Sequence, residues 1–266
     1  MGVVNATPDS FSGDGCGDSV TAAVERGLAQ ERAGAAILDV GGESTRPGAE
    51  PVPEGVELAR VVPVVRALCA RTHLPVSIDT HKPAVAASAL EAGACVINDV
   101  WGLRRDPRMA EVARMHGAAW ILTHNRAAVP LVDSLGGMYP HVAYGDVVAD
   151  IQAELRAAAA WAIGQGVPPA AIWLDPGLGF GKTPAQSLEI LRRLSAFRIG
   201  HPLVVGPSRK SFVGRVLDAP VGERDAGTAA AVALCAAAGA DIVRVHNVGM
   251  MSRAARVADA VVRGWP

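Results

Sequence analysis

Residues 75–99 read PVSIDTHKPAVAASALEAGACVIND, and that span decides the fold. Pro75–Asp79 is a short, mostly apolar run closed by an acid. Pro83 suits the first turn of a helix, where its missing N–H has no intrahelical partner to lose. Gly93 suits the end of that helix, where the chain must turn left-handed. Cys95–Asp99 is then a second run of the first kind. The connection between the two runs is long enough to bring the chain back parallel, as a βαβ unit requires.

Working outward, the same unit recurs along the chain. Strands are expected at Gly2–Asn5, Ala36–Val40, Pro75–Asp79, Cys95–Asp99, Ala119–His124, Ala171–Asp175, Leu203–Gly206 and Asp241–His246. Helices are expected at Ser19–Ala33, Pro53–Thr72, Pro83–Ala92, Pro107–His116, Tyr144–Gly166, Pro184–Phe197, Asp225–Gly239 and Met250–Gly264. Several strands are continuously apolar, which fits a parallel sheet covered on both faces. Eight alternations with no linker or composition break predict an α/β protein, a single (β/α)8 TIM barrel over residues 1–266. An open doubly wound sheet is the alternative that the pattern leaves.

Composition narrows the function. Hydrophobic residues make up 50% of the 266, which excludes a disordered chain. Twenty-five basic residues against 26 acidic ones leave a net charge of −1, with no electrostatic footprint for nucleic acid or an anionic membrane. The longest apolar stretch, Ala229–Ala240, is too short to span a bilayer, so the mean hydropathy of +0.25 is assigned to buried strands. Cys16, Cys69, Cys95 and Cys235 are scattered without metal spacing, and no signal peptide is visible at the N-terminus. A reduced, cytoplasmic protein is expected.

In a (β/α)8 barrel the chemistry belongs at the C-terminal ends of the strands. Polar residues gather there: Asn5, Asp39, Asp79, Asn98, Asp99, His124, Asp175, Arg244 and His246, with Ser208-Arg209-Lys210 following strand 7. Asp39 and Asp99 are expected to be structural members of this set. Asp79, Asn98 and Asp175 offer acceptors to the donor-rich edge of a flat heterocycle. Lys210, Arg244 and His246 form a cationic group suited to phosphate oxygens. Gly177-Leu178-Gly179-Phe180-Gly181-Lys182-Thr183 comes close to a phosphate loop, but Pro176 stands where its first glycine belongs and removes a backbone N–H.

These loops resemble dihydropteroate synthase. The resemblance lies in Asn5-Ala6-Thr7-Pro8-Asp9-Ser10-Phe11-Ser12, in Asp39-Val40-Gly41-Gly42-Glu43-Ser44-Thr45-Arg46-Pro47-Gly48, in Ser77-Ile78-Asp79-Thr80 and in Ile97-Asn98-Asp99-Val100. It continues in Asp175-Pro176-Gly177-Leu178-Gly179-Phe180-Gly181-Lys182, Ser208-Arg209-Lys210-Ser211-Phe212 and Arg244-Val245-His246. The motifs follow the family's order over nearly the whole chain.

The resemblance implies a barrel, usually homodimeric, that joins 6-hydroxymethyl-7,8-dihydropterin pyrophosphate to p-aminobenzoate by an SN1-like route. It further implies sensitivity to sulfonamides. By the same resemblance Asp79, Asn98, Asp175 and Lys210 hold the pterin, and Asn5 binds Mg²⁺. Thr45, Arg244, Val245 and His246 contact the pyrophosphate ester, while Phe11, Thr45, Pro47, Phe180 and Ser211 wall the p-aminobenzoate slot. Asp9, Asp14 and Arg46 join Asn5, Lys210, Arg244 and His246 in the chemistry. Two departures from the family pattern stand out: Ser12-Gly13-Asp14 displaces a loop-1 carboxylate by one residue, and Thr123 stands where a methionine is usual. A paralogue that keeps pterin binding but has lost or lowered synthase activity is the alternative they leave, and a pterin-dependent methyltransferase domain a more distant one.

Overall fold

The computed structural model describes residues 1–7, 19–44, 50–102, 105–127 and 143–265. Among these described residues, eight parallel strands follow in chain order: β1 (Gly2–Asn5), β2 (Leu38–Gly41), β3 (Val76–Asp79), β4 (Val96–Asp99), β5 (Ala119–Thr123), β6 (Ile172–Asp175), β7 (Val204–Val205) and β8 (Ile242–Val243). Strands β1 to β6 pair in sequence, as do β7 and β8. Bridges from Leu174 to Leu203 and from Val245 to Gly2 join these two groups into a closed ring. Closure removes the edges that the open-sheet alternative would leave. The chain is a (β/α)8 barrel.

The helices are α1 (Val20–Arg32), α2 (Glu54–Cys69), α3 (Pro83–Glu91), α4 (Met109–His116), α5 (Val147–Gly164), α6 (Pro184–Arg192), α7 (Ser211–Leu217), α8 (Asp225–Ala237) and α9 (Val248–Arg263). Their ends follow local chemistry. Ser19 and Asp146 cap α1 and α5 through their side chains, and Thr183 and Gln186 form a reciprocal capping box at α6.

Three expectations need correction. Strands 7 and 8 are shorter than expected, because only Val204–Val205 and Ile242–Val243 pair with each other, while the flanking Leu203 and Val245 bridge instead to Leu174 and Gly2. The expected helix Pro184–Phe197 finishes as a 3₁₀ turn over Leu194–Phe197. Helix α7 was not foreseen: it spans seven residues with Gly214 in the middle, too short and too weak in propensity to show as periodicity.

Strand parity sorts the side chains. Leu38, Val40, Val76, Ile78, Ile97, Trp120, Leu122, Ile172 and Leu174 point outward into the main core against the helices. Each such buried side chain contributes about 1.5–3 kcal/mol. The alternate residues face the barrel axis. At the bottom these are Met1, Ile37, Val96, Ile121 and Val204, a small apolar plug with Trp173 and Ile242 packed on it. The next axis-facing positions upward along the strands are Asp39, Asp79, Asn98, Thr123, Asp175 and Arg244, so the interior changes from apolar to charged toward its C-terminal mouth.

Candidate active site

The mouth is organised around one guanidinium. Arg244 follows β8 and donates from Nε to Asp39 Oδ2 at 2.6 Å and from Nη2 to Asp79 Oδ2 at 2.5 Å. Asn98 Nδ2 also donates to Asp39 Oδ2, at 3.1 Å. Asp39 is therefore an axis-facing anchor that orients both Arg244 and Asn98, which refines the expectation that it is merely structural. Asp99 has the opposite parity; its carboxylate accepts from the Trp101 N–H at 2.9 Å and stabilises the following turn, as expected.

Burial acts on every charge here. It pushes the Asp79 carboxyl up to about 7, with Arg244 pulling the other way and Asp39, Glu57 and Asp99 adding to the rise. It pushes Asp175 up to about 6 against the Gly177 N–H and the Lys210 and Lys182 charges. Lys210 is brought down to about 8 by burial, offset in part by Asp175. Burial also works against the Arg244 charge, yet Asp39 and Asp79 hold it more firmly protonated than a free guanidinium. The mouth thus holds carboxylates and an amine that titrate nearer neutrality than in water, as groups poised to exchange partners do.

Asp175 closes β6, and its Oδ1 accepts from the Gly177 N–H at 2.7 Å. Gly177 has φ 68°, and a Cβ there would lie 2.0 Å from the His124 carbonyl oxygen, so only glycine lets loop 6 turn under the carboxylate. Loop 6 then brings Phe180 beneath Lys210, whose Nζ lies 3.9 Å from the ring centroid. Lys210 leads into α7, with Ser211 as its first residue. His246 donates its backbone N–H to Ser208 Oγ at 3.2 Å, and its Nδ1 lies 2.9 Å from the same oxygen. Asn5 ends β1 beside Gly41, on the parity that faces the axis.

A family model described as pterin binding enzyme matches residues 1–246. The dihydropteroate synthase of Bacillus subtilis is 43% identical over 263 residues, 98% of this chain and 88% of the relative. The chain belongs to the dihydropteroate synthase family. Among solved structures, the Yersinia pestis synthase in a sulfonamide complex superposes with a TM-score of 0.91 at 38% identity, covering 98% of this chain and 93% of that one. The Xanthomonas albilineans synthase in complex with 7,8-dihydropteroate gives 0.85 at 37%, covering 100% and 94%.

Of the residues singled out from the sequence, Asp79, Asn98, Asp175, Lys210 and Arg244 converge at the mouth, with His246, Ser211, Phe180 and Asn5 on the strand ends and loops around it. Val245 does not join them. Its side chain packs outward against Val232, Val248 and Met251, and its backbone closes the barrel on Met1 and Val3. Asp9, Phe11, Asp14, Thr45, Arg46 and Pro47 lie outside the described residues.

The phosphate-loop alternative for Lys182 fails on geometry. Its Nζ is buried, donating to the carbonyls of His124 at 3.0 Å and Phe180 at 2.8 Å, with His124 Nδ1 at 2.9 Å. Burial also drives its pKa well below the usual value. Three acceptors already take the three ammonium hydrogens, so Lys182 staples loop 6 to the end of β5. His124, expected at the mouth, is buried in this staple, with Nε2 3.2 Å from Glu154 Oε2.

Sequence reasoning missed a second clamp. Lys82 Nζ donates to Glu43 Oε2 at 2.6 Å, to the Val52 carbonyl at 2.8 Å and to the fully buried Glu57. Glu43 Oε1 also accepts from the Val52 N–H at 3.2 Å, so Glu43, Val52 and Lys82 are held together. The one available signal was a lysine directly before the helix-opening Pro83.

Proposed function

We propose that the chain condenses 6-hydroxymethyl-7,8-dihydropterin pyrophosphate with p-aminobenzoate, giving 7,8-dihydropteroate and pyrophosphate. The observation that carries this is the convergence of Asp79, Asn98, Asp175 and Lys210 on Arg244 inside the barrel mouth. Asp175 accepts N–H bonds from the donor edge of the pterin. Asn98 spends its Nδ2 on Asp39, which leaves Oδ1 as an acceptor for the same ring. Lys210 donates to an acceptor atom of the heterocycle from above the Phe180 ring.

Arg244 uses Nε and Nη2 on carboxylates, and Nη1 remains for a pyrophosphate oxygen, with His246 as a second donor. In the reaction the C–O bond to pyrophosphate breaks and its electron pair leaves with the phosphate. The exocyclic carbon becomes a cation conjugated with the pterin, the amine lone pair of p-aminobenzoate forms the new C–N bond, and the nitrogen then releases one proton. Cationic side chains that stabilise the leaving group are electrostatic catalysts, and the amine needs position more than activation. By family resemblance Phe180 and Ser211 belong to the p-aminobenzoate slot with Phe11, Thr45 and Pro47.

Mg²⁺ is part of the proposal, with Asn5 as the residue that would hold it. Asn5 supplies one hard oxygen, and the described residues hold no cluster of three His, Cys, Asp or Glu that would make an all-protein site. An ion with so few protein ligands would take most of its other oxygens from the substrate phosphates and water. When bound, it neutralises charge on the departing pyrophosphate.

A homodimer is part of the same proposal. Leu234 of α8 and Val257 and Val261 of the adjacent α9 are 60%, 65% and 79% exposed, and Val216 and Leu217 of α7 are exposed nearby in the fold. Exposed apolar side chains on three successive, adjoining helices fit a surface that a second copy covers. The central test is formation of dihydropteroate from the two substrates with and without Mg²⁺. Mg²⁺-dependent turnover is expected. Pterin binding without turnover would replace this assignment by that of a binding paralogue.

A further inference from the structure

Residue 209 is one of two non-glycine positions with positive φ among the described residues, at 55°. That left-handed conformation is costly for a residue with a Cβ and persists only when its surroundings enforce it. Here they do. The Arg209 N–H donates to Thr228 Oγ1 at 3.1 Å, and its carbonyl accepts from Arg224 Nη1 at 3.0 Å. Its guanidinium forks onto Asp225, Nε to Oδ1 at 2.8 Å and Nη2 to Oδ2 at 3.1 Å. Backbone and side chain are thus both held by the residue before α8 and by that helix's first turn.

Arg224 is itself 1% exposed, and it also donates to the Ala219 carbonyl at 3.0 Å. It lies so close to Gly214 of α7 that a Cβ at 214 would meet its guanidinium at 2.4 Å.

The neighbours of Arg209 in sequence are site residues. Ser208 holds His246, and Lys210 lies over Phe180 beside Asp175. Asp225 reaches the other loop as well, because its Oδ2 accepts from Asn247 Nδ2 at 2.8 Å, directly after His246. One carboxylate outside the mouth therefore ties the loop that carries Lys210 to the loop that carries His246.

We propose that Arg209 and Asp225 are positioning residues for the reaction: their forked ion pair holds residue 209 left-handed, which sets Lys210 and His246 in register across the mouth. Neither touches the reacting atoms. The proposal rests on the synthase assignment and adds how the two cationic loops acquire their spacing. Misplacement of reacting groups by about 1 Å is enough to cost up to about 100-fold in rate.

The test compares Arg209→Ala, Arg209→Gly, Arg209→Lys and Asp225→Asn with the unmodified chain. It reads kcat/KM for the pterin pyrophosphate, affinity for inorganic pyrophosphate by calorimetry, and the thermal midpoint. Arg209→Ala is expected to lose about 10- to 100-fold in kcat/KM. Arg209→Gly is expected to keep more activity than Arg209→Ala, because glycine adopts φ 55° without the clamp. Arg209→Lys keeps the charge but not the fork, and falls between Ala and the unmodified chain. The proposal is overturned if Ala matches the unmodified chain, or if Gly is no better than Ala while both melt normally.

Should Arg209→Ala fail to fold, Lys and Asp225→Asn carry the comparison, and wild-type values for both overturn the proposal. If the unmodified chain turns over nothing, the synthase assignment fails instead. The order of pyrophosphate affinities then decides the positioning role, and equal affinities refute it.

Discussion

Replacing Asp175 by Asn separates the stability of the barrel mouth from its function. The Asp175 carboxyl titrates at about 6 in the fold, against 3.8 for an unburied carboxyl, chiefly because burial penalises its charge. At about 1.4 kcal/mol per pH unit, that gap is worth about 3 kcal/mol. The sign follows from the raised pKa: the folded state binds the proton more tightly, so the contribution is full below pH 4, falls as pH rises to 6, and is gone above it. The Asn variant lacks this slope. It still accepts the Gly177 N–H through its amide oxygen, but its NH2 group replaces a buried carboxyl oxygen and needs a partner of its own, a cost of about 1–2 kcal/mol. Asp175→Asn should therefore be about 1–2 kcal/mol more stable than the unmodified chain at pH 8, while binding pterin far more weakly. The assay is urea unfolding at intervals from pH 4 to 8, with the difference between the two chains plotted against pH and pterin affinity measured by calorimetry at pH 8. A flat difference would show that Asp175 is not ionising against burial, and unchanged pterin affinity would remove it from the pocket.

Other substitutions probe the supports of the mouth. Gly177→Ala should cost about 3 kcal/mol or more and lower pterin affinity, since the new Cβ meets the His124 carbonyl and φ 68° disfavours a side chain; urea midpoints and calorimetry would show either effect missing. Lys182→Met leaves the buried His124 carbonyl, the half-buried Phe180 carbonyl and His124 Nδ1 without their donor, so a loss of about 2–4 kcal/mol is expected. Nucleotide triphosphate binding by the unmodified chain that vanished in Lys182→Met would revive the phosphate-loop alternative. Val261→Asp puts a charge on the exposed apolar face of α9 and should give a monomer in sedimentation velocity if that face joins two copies.

Much of the architecture was legible because βα units signal themselves locally. Proline at helix starts and glycine at helix ends mark boundaries through backbone chemistry alone: Gly34, Gly93, Gly117 and Gly166 all have positive φ at the ends foreseen for them. Elements without such marks were misjudged. Helix α7 carries no useful punctuation, and β7 and β8 owe their length to their partner as much as to their own residues. For the site, the strand-end positions of Asp79, Asn98 and Asp175 could be read because loop chemistry in this fold sits at predictable places. Val245 was misplaced because it neighbours Arg244 and His246 in sequence but has the opposite strand parity.

By itself the sequence determined the succession of strands and most of the helices, the burial of the sheet on both faces, and the motifs that mark the family. All of these depend on residues within one or two turns of each other. Tertiary structure alone decided which charges meet. Arg244 finds Asp39 and Asp79 across 205 and 165 residues of chain, because closure brings β8 beside β1 and points every second side chain at one axis. The same closure buries Lys182 in a cage of carbonyls and places Asp225 between two loops that no local pattern connects. Their charges acquire their roles from desolvation and from partners, and both exist only once the barrel is closed.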